Sequence, residues 1–319
     1  MKKMDTKELK KLLLDAVCPS GIWHLSRRIE SLLEQQLRRL PRGKVSDEES
    51  RYPTTKQGMR AFLDIFFTRH YFQAQNSFIE HLISDEFISI ILDGQLHVLD
   101  IGCGPAVVSL AITDLLDSLV KILIEKGQWS KPRILELTYI LNDTSPICLG
   151  VAKQMLEQYF SLQQYSQINL VPNIVLAVGK GFPDNLQQLR RIAQNYGSFD
   201  VASLSYVITP LTEQRGVISL ARDLSLLGSL CAENGCIVIL QDKFKGELVR
   251  KLGRMLGATV RQREYTQQVY SNRNPNETFK YSYYDLLYKP FLGIGSVKSI
   301  SFSSLPNQTV AFSEVTKVS

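Results

Sequence analysis

The sequence predicts a doubly wound α/β fold: a mostly parallel seven-stranded sheet with one antiparallel edge strand, preceded by an N-terminal helical region. Three observations predict it. Apolar, strand-like runs alternate with helical patterns between residues 96 and 290. The first run, Val98-Leu99-Asp100-Ile101, ends in Gly102-Cys103-Gly104-Pro105 and opens into a helical pattern of Val107, Val108, Leu110, Ala111 and Leu115. The last two runs flank Asn274-Pro275-Asn276 and read as a hairpin, which places one antiparallel strand at the edge.

Residues 1–95 form the helical region. Leu9, Leu12 and Leu13, then Ile22, Leu25, Ile29, Leu32 and Leu33, repeat at helical spacing, and Pro19-Ser20-Gly21 divides them into two helices. A polar stretch from Pro41 to Pro53 breaks the pattern. A third helix is expected from about Gln57 to Ser84. Tyr71, Phe72, Phe78, Ile79, Leu82 and Ile83 share one side of it, with Arg69, Gln73, Asn76 and Glu80 on the other. Gln75 falls among the apolar residues, so it is expected to be buried and hydrogen-bonded. The region suits a cap, a substrate-binding element or a homodimer contact through its helices.

Residues 96–290 carry the sheet. Arg133 to Leu141 is a second strand, ending at Asn142-Asp143-Thr144-Ser145-Pro146 before a helix marked by Ile147, Val151, Met155 and Leu156. Asn173 to Val178 is a short third strand before Gly179-Lys180-Gly181, and Phe199 to Val207 is a fourth. Gly216 to Cys231 is helical, with Asn234-Gly235 as its stop signal. Cys236 to Leu240 is a fifth strand. Gly246 to Leu256 is a helix ended by Gly257, and Ala258 to Tyr270 pairs with Thr278 to Tyr288 in the hairpin. Residues 291–319 are a Ser-rich C-terminal extension, a tail or an added edge strand.

The turn after the first strand has the marks of a ligand site. Gly102 and Gly104 let the backbone approach a ligand where a Cβ would collide. The turn opens a helix, whose first N–H groups point at the site. A pyrophosphate-binding turn avoids a nearby carboxylate; Asp100 instead suits a ligand with a positive charge or several donors. The dinucleotide fingerprint G-x-G-x-x-G would need glycine where Val107 stands. Asp143, at the end of the second strand, is placed to hold ribose hydroxyls, since a carboxylate accepts two hydrogen bonds at once. Asp143 or Ser145 can equally cap the following helix, with Pro146 in its first turn. Cys103 reads as a small packing residue rather than a thiol nucleophile.

These residues resemble class I S-adenosylmethionine-dependent methyltransferases. Asp100, Gly102 and Gly104 match the D-x-G-x-G of the family's first motif, although Ala106 stands where most members have a third glycine. Asp143, Ser145 and Pro146 are similar to its second motif. The interval between the two acids is longer than the family usually shows, with the extra residues at about Asp117 to Pro132. The likeness covers roughly residues 96 to 290. It implies S-adenosyl-L-methionine as cofactor, held by Asp100, Gly102, Cys103, Gly104, Asp143, Thr144, Ser145 and Ser203. By analogy with helices that cover the cofactor in such enzymes, Arg69, Tyr71 and Gln75 are candidates for its methionine end or the substrate. Tyr206, after the fourth strand, is a candidate to orient a substrate or act as a weak base. No His/Asp pair stands at a spacing that marks a general base.

The resemblance implies methyl transfer to an N or O nucleophile of a small molecule or peptide. The fourth strand ends in Ser203-Leu204-Ser205-Tyr206, so both N-P-P-Y and the Pro-Cys of cytosine-C5 RNA enzymes are absent. An RNA methyltransferase or ribosome assembly factor is an alternative, because Gly104-Pro105-Ala106 and Asp143-x-Ser145 are similar to ribosome-associated relatives. A non-catalytic binding protein is another. The net charge of +6 comes from residues 1–60, where 14 Lys/Arg face 8 Asp/Glu. A positive face steers RNA, or is only a solvated helix surface. Five cysteines without a C-x-x-C pair fit a reduced, cytoplasmic setting, and the four histidines lack metal-ligand spacing. No run of about eighteen apolar residues suggests a membrane span.

Overall fold

The computed structural model describes residues 5–128, 134–162, 169–271 and 274–290. Two N-terminal helices come first, α1 (Thr6–Val17) and α2 (Arg27–Arg39), capped by the side chains of Asp5 and Ser26. A short helix α3 (Asp47–Arg51) sits within the polar stretch between Pro41 and Pro53. The expected third helix is one continuous rod with an irregular middle. α4 (Lys56–Phe62) passes through a π-helical segment, Leu63–Phe67, into α5 (Thr68–Leu82). A further helix, α6 (Asp85–Asp93), starts on a Ser84 cap and ends at Gly94 in the left-handed conformation.

The sheet follows. β1 (Gln95–Ile101) leads to α7 (Val107–Glu125), β2 (Ile134–Asn142) to α8 (Pro146–Ser161), and β3 (Asn169–Ala177) to α9 (Leu186–Tyr196). β4 (Phe199–Ser205) is followed by α10 (Ile208–Arg215) and α11 (Val217–Gly228), and β5 (Cys231–Asp242) by α12 (Gly246–Leu256). β6 (Thr259–Ser271) and β7 (Asn274–Tyr288) close the chain as the hairpin. The strand order is β3-β2-β1-β4-β5-β7-β6. β1 to β5 pair in parallel, β7 is antiparallel to β5, and β6 is antiparallel to β7. The reversed strand therefore lies one place in from the edge, and the hairpin makes that edge.

One expected boundary is corrected. Asn234-Gly235 does not stop a helix; α11 ends at Gly228, and both residues lie inside β5. A Cβ on Gly235 would sit 2.5 Å from the Phe199 carbonyl oxygen, where the β4–β5 register shifts. The glycine serves a close strand approach rather than a helix terminus. The expected C-terminal extension lies outside the described residues, as does part of the long interval after α7.

Two apolar clusters cover the two faces of the sheet. One gathers Leu99, Ile101, Ala202, Leu204, Ile237 and Ile239 beneath α9, α11 and α12. The other joins Val98, Leu137, Leu141, Val201 and Val238 to α7 and α8, and continues outward to Leu9, Leu13, Ile29, Leu32, Phe67, Tyr71 and Phe78. Helix α7 is buried on nearly all sides, which accounts for its apolar residues running all round. The N-terminal helices form a third layer over it. Trp23 adds an isolated bridge to Gln267 on β6, so the same layer reaches the sheet's edge. The apolar faces of α1 and α2 pack within the chain.

No helix among the described residues is long and apolar enough to cross a membrane. All five cysteines are free. Among the described residues, no three His, Cys, Asp or Glu side chains gather to hold a metal.

Candidate active site

The carboxyl edge of the sheet has a switch point between β1 and β4. From there the chain crosses to α7 on one face and reaches β4 from α9 on the other, a crevice where doubly wound sheets bind ligands. The turn at residues 102–106 lies there. Gly102 and Gly104 have φ of 65° and 51°, and Ala106 takes 60° at the N-cap of α7. Ala106 thus adopts, at a cost, a conformation that glycine takes freely. A Cβ on Gly102 would lie 2.1 Å from Val207 Cγ1, whereas one on Gly104 would lie 3.8 Å from Phe62 Cζ. Gly102 therefore answers to a contact with the chain's own Val207, whereas Gly104 has room for a Cβ and answers to its positive φ.

The two acid-ended turns are brought together. Asp143 Oδ2 accepts from the Gly104 N–H at 3.0 Å, and Oδ1 accepts from the Ser145 N–H at 2.8 Å. The Asn142 carbonyl accepts from Gly102 and Cys103 at 2.8 and 3.1 Å. Burial raises the Asp143 pKa, against backbone N–H groups of Ser145, Gly104 and Thr144 that lower it. Thr144 is exposed. Ser145 caps α8 through the Cys148 N–H at 3.3 Å, with Pro146 in the first turn, as the capping reading expected. Its hydroxyl also donates to the Pro53 carbonyl at 2.7 Å.

Asp100 is a correction. Its side chain is fully buried and turned to the protein, not to a ligand. Ser109 donates to Oδ2 through its N–H at 3.2 Å and its hydroxyl at 2.7 Å, and the Ser203 hydroxyl donates to Oδ1 at 2.8 Å. Burial lifts the carboxyl to about 6, opposed by these hydrogen bonds. Asp100 ties the first turn of α7 to β4, and Ser203 is committed to the same task. Cys103 is buried and its thiol pushed well up by that burial, which suits packing rather than nucleophilic attack.

Tyr71 and Gln75 are corrected as well. The Tyr71 hydroxyl donates to Asp114 Oδ2 at 2.7 Å, and Gln75 Nε2 donates to that hydroxyl at 3.0 Å. Asp114 lies seven residues into α7, about 10 Å along the helix from its start. Both side chains thus belong to the interface between α5 and α7, away from the turn. Arg69 pairs with Asp242 at the end of β5 and lies 5.5 Å from the Tyr281 ring centre.

Tyr206 does reach the edge. It follows β4 at a φ of 61°, and its hydroxyl donates to Gln73 Oε1. Its ring stacks on His70, with centroids 3.8 Å apart and planes 13° from parallel. Burial, then Arg69, depresses His70 to about 3, so the ring is neutral at physiological pH. Burial raises the Tyr206 phenol well above its ordinary value, which argues against a base role.

His70, Gln73, Phe62, Val207 and Asn142 were not assigned roles from the sequence. Asn142 alone had a local signal, standing beside Asp143; its amide donates to the carbonyls of Ala177 and Lys180 and accepts from the Phe182 N–H. Phe62 and Val207 meet the turn, and His70 and Gln73 meet Tyr206, through tertiary packing.

Seven strands, parallel but for one reversed strand in a terminal hairpin, match the expected arrangement. It is the doubly wound α/β arrangement that the resemblance to class I methyltransferases implies. No family model matches the chain, and no curated protein matches it. Solved structures similar to it include a precorrin 8w decarboxylase of Methanobacterium thermoautotrophicum. There, 63% of this chain aligns with 87% of that one at 15% identity and a TM-score of 0.37. A SAM-dependent methyltransferase from Agrobacterium tumefaciens aligns over 70% of this chain and 61% of its own, at 14% identity and 0.38. A putative RNA methyltransferase from Pyrococcus horikoshii aligns over 83% and 97%, at 11% and 0.34. Likenesses this distant leave the chemistry to be argued from the chain's own side chains.

Proposed function

We propose that the chain binds S-adenosyl-L-methionine at the carboxyl edge and transfers its methyl group to an N or O nucleophile of a small molecule or peptide. The observation that carries this reading is Asp143. It bridges the two acid-ended turns at the switch point while remaining partly accessible. Backbone N–H groups of Gly104, Ser145 and Thr144 use part of its accepting capacity, and what remains suits a ribose hydroxyl. The bound cofactor would supply an electrophilic methyl on sulfur. The protein's share is position and a dry site. Gly104 supplies a surface without a Cβ, and the stacked His70 and Tyr206 wall off the β4 end.

The fit is incomplete in one respect. Phe62 lies over Gly104, Val207 against Gly102, and Pro53 is hydrogen-bonded to Ser145, so the chain's own residues occupy the crevice. Cofactor entry therefore requires the segment around Pro53 and Phe62 to withdraw. The same closure favours a second reading, a non-catalytic protein that keeps the fold for binding or assembly.

Calorimetric titration of the full chain with S-adenosyl-L-methionine separates the two. Saturable binding is expected, and Asp143→Ala should weaken it roughly ten- to hundred-fold, as for a lost charged hydrogen-bond partner. Absence of binding to the wild type would leave the non-catalytic reading. Labelled methyl-donor turnover with extract fractionated into RNA, protein and metabolites identifies the acceptor class.

A further inference from the structure

A cationic pocket lies where the end of α2 and the polar loop after it meet α4. A cavity of about 460 Å³ opens to solvent there, lined by Glu34, Leu37 and Arg38 of α2, Leu40 and Arg42 beyond it, and Arg60 of α4. Its size falls within the ~300–1,000 Å³ of small-molecule sites. Three guanidinium groups face one carboxylate in the lining. The methyl-transfer reading uses none of them.

Arg60 is fixed at the base of the pocket. Its side chain is 15% exposed, and Nη1 donates to the carbonyls of Leu37 and Leu40. The last carbonyls of a helix form its negative pole and repel an anion. Arg60 covers those of α2 and makes this end of the helix cationic. Asp64 Oδ2 stands 3.7 Å from Arg60 Nε, too far for a hydrogen bond. Nε and Nη2 therefore donate to no group among the described residues, and neither is sealed from water. Two adjacent free donors on one guanidinium suit a bidentate grip on an anion.

Arg38 and Arg42 stand on the open side. Arg42 is exposed and forms no ion pair among the described residues. Arg38 pairs with Glu34 at 3.3 Å, and both side chains are largely in solvent. Such an exposed pair is weak, so an anion in the pocket draws Arg38 to itself at little cost. Three arginines less one glutamate leave the lining two charges positive. A phosphate monoester matches that charge, with close to two negative charges at pH 7 and three acceptor oxygens, whereas a carboxylate or a phosphodiester carries one charge. Leu37 and Leu40 offer an apolar floor beside the cations.

We infer that this pocket binds a small phosphate monoester, its oxygens on Arg60, Arg38 and Arg42 and its carbon body over Leu37 and Leu40. A bounded cavity, rather than a long stripe of cations, favours a small molecule over a nucleic-acid strand. The inference does not rest on cofactor binding at the sheet edge.

Calorimetry of the full chain at low ionic strength, without methyl donor, tests it with phenyl phosphate, inorganic phosphate and dimethyl phosphate. Phenyl phosphate should give saturable heat. Inorganic phosphate, which has no carbon body, should bind more weakly, and the singly charged dimethyl phosphate at least about tenfold more weakly. Arg38→Gln and Arg42→Gln, both at exposed positions, should each weaken phenyl phosphate roughly tenfold. Arg27→Gln, which removes the same charge about 16 Å away at the start of α2, should not. Glu34→Gln frees Arg38 and should tighten binding about two- to fivefold. No saturable heat from phenyl phosphate, equal binding of dimethyl phosphate, or an equal loss from Arg27→Gln overturns the proposal. Gel retardation of single-stranded RNA that needs Arg38 and Arg42, without binding of the monoester, also overturns it and assigns these cations to nucleic acid.

Discussion

At the scale of single residues, the start of the turn at 102–106 is governed by one close neighbour. Gly102 is enforced by Val207, which stands 2.1 Å from where a Cβ would lie, and by its φ of 65°. Gly102→Ala should destabilise by about 3 kcal/mol, combining left-handed strain with overpacking. Adding Val207→Ala should recover about 1–2 kcal/mol of that, measured as a coupling in urea denaturation. Additive losses would show that Val207 is not the obstacle. Asp100 gives a pH signature. Its folded pKa of about 6 lies above the ordinary carboxylate value, so the protonated form is favoured by folding. Its contribution is complete at low pH and is lost as pH rises from about 4 to about 6. The difference in unfolding free energy between wild type and Asp100→Asn should therefore change by about 3 kcal/mol across that window and be flat above it. Asp100 also shows what one dimension hides. The sequence marked it as an acid beside glycines, but its partners are Ser109 and Ser203, one on the next helix and one on a strand a hundred residues on.

At the scale of elements, periodicity was the reliable guide and punctuation the less reliable one. Helix α12 and its left-handed Gly257 cap match the reading, because apolar spacing and cap agree there. Asn234-Gly235 misled, because a residue pair that can end a helix can equally sit where two strands come close. The π-helical segment at Leu63–Phe67 left no mark, since side chains still recur at near-helical intervals. Gly257 offers a clean backbone test, as a Cβ there meets nothing within 4 Å. Gly257→Ala should cost about 1 kcal/mol from conformation alone, read as a lower melting temperature with no loss of helix signal. Ser145 carries two loads, the α8 cap and the bond to Pro53. Ser145→Ala should lower stability by about 1–2 kcal/mol. Ser145→Asp restores the cap but not the donor, so it should recover only part.

At the scale of the molecule, the first 95 residues and the sheet share one core. Leu9, Leu13, Ile29 and Leu32 join the same buried cluster as α7 and the strands. Removing residues 1–40 would bare an apolar face of α7 and release β6 from Trp23. The shortened chain is expected to bind a hydrophobic dye and lose its cooperative melt; a sharp, unchanged transition would count against a shared core. Fold class was legible because a parallel sheet follows from alternation, whereas the strand order came only with the structure. The closed crevice was not, because it depends on how the N-terminal layer lies across the edge. That layer also holds the basic excess. If the charge recruits RNA, the affinity should fall steeply with salt, whereas a flat response in a gel-shift series assigns it to a solvated surface.

The bond from Ser145 to Pro53 carries one last implication for amide hydrogen exchange. Most ligands quieten the backbone they touch. Under the proposed function, an occupant of the sheet edge displaces Pro53 and Phe62, which border it. Adding the methyl donor should thus slow deuterium uptake at 102–106 and, in the same sample, quicken it at 54–62. Two adjoining stretches with opposite responses would trace the route by which the ligand enters.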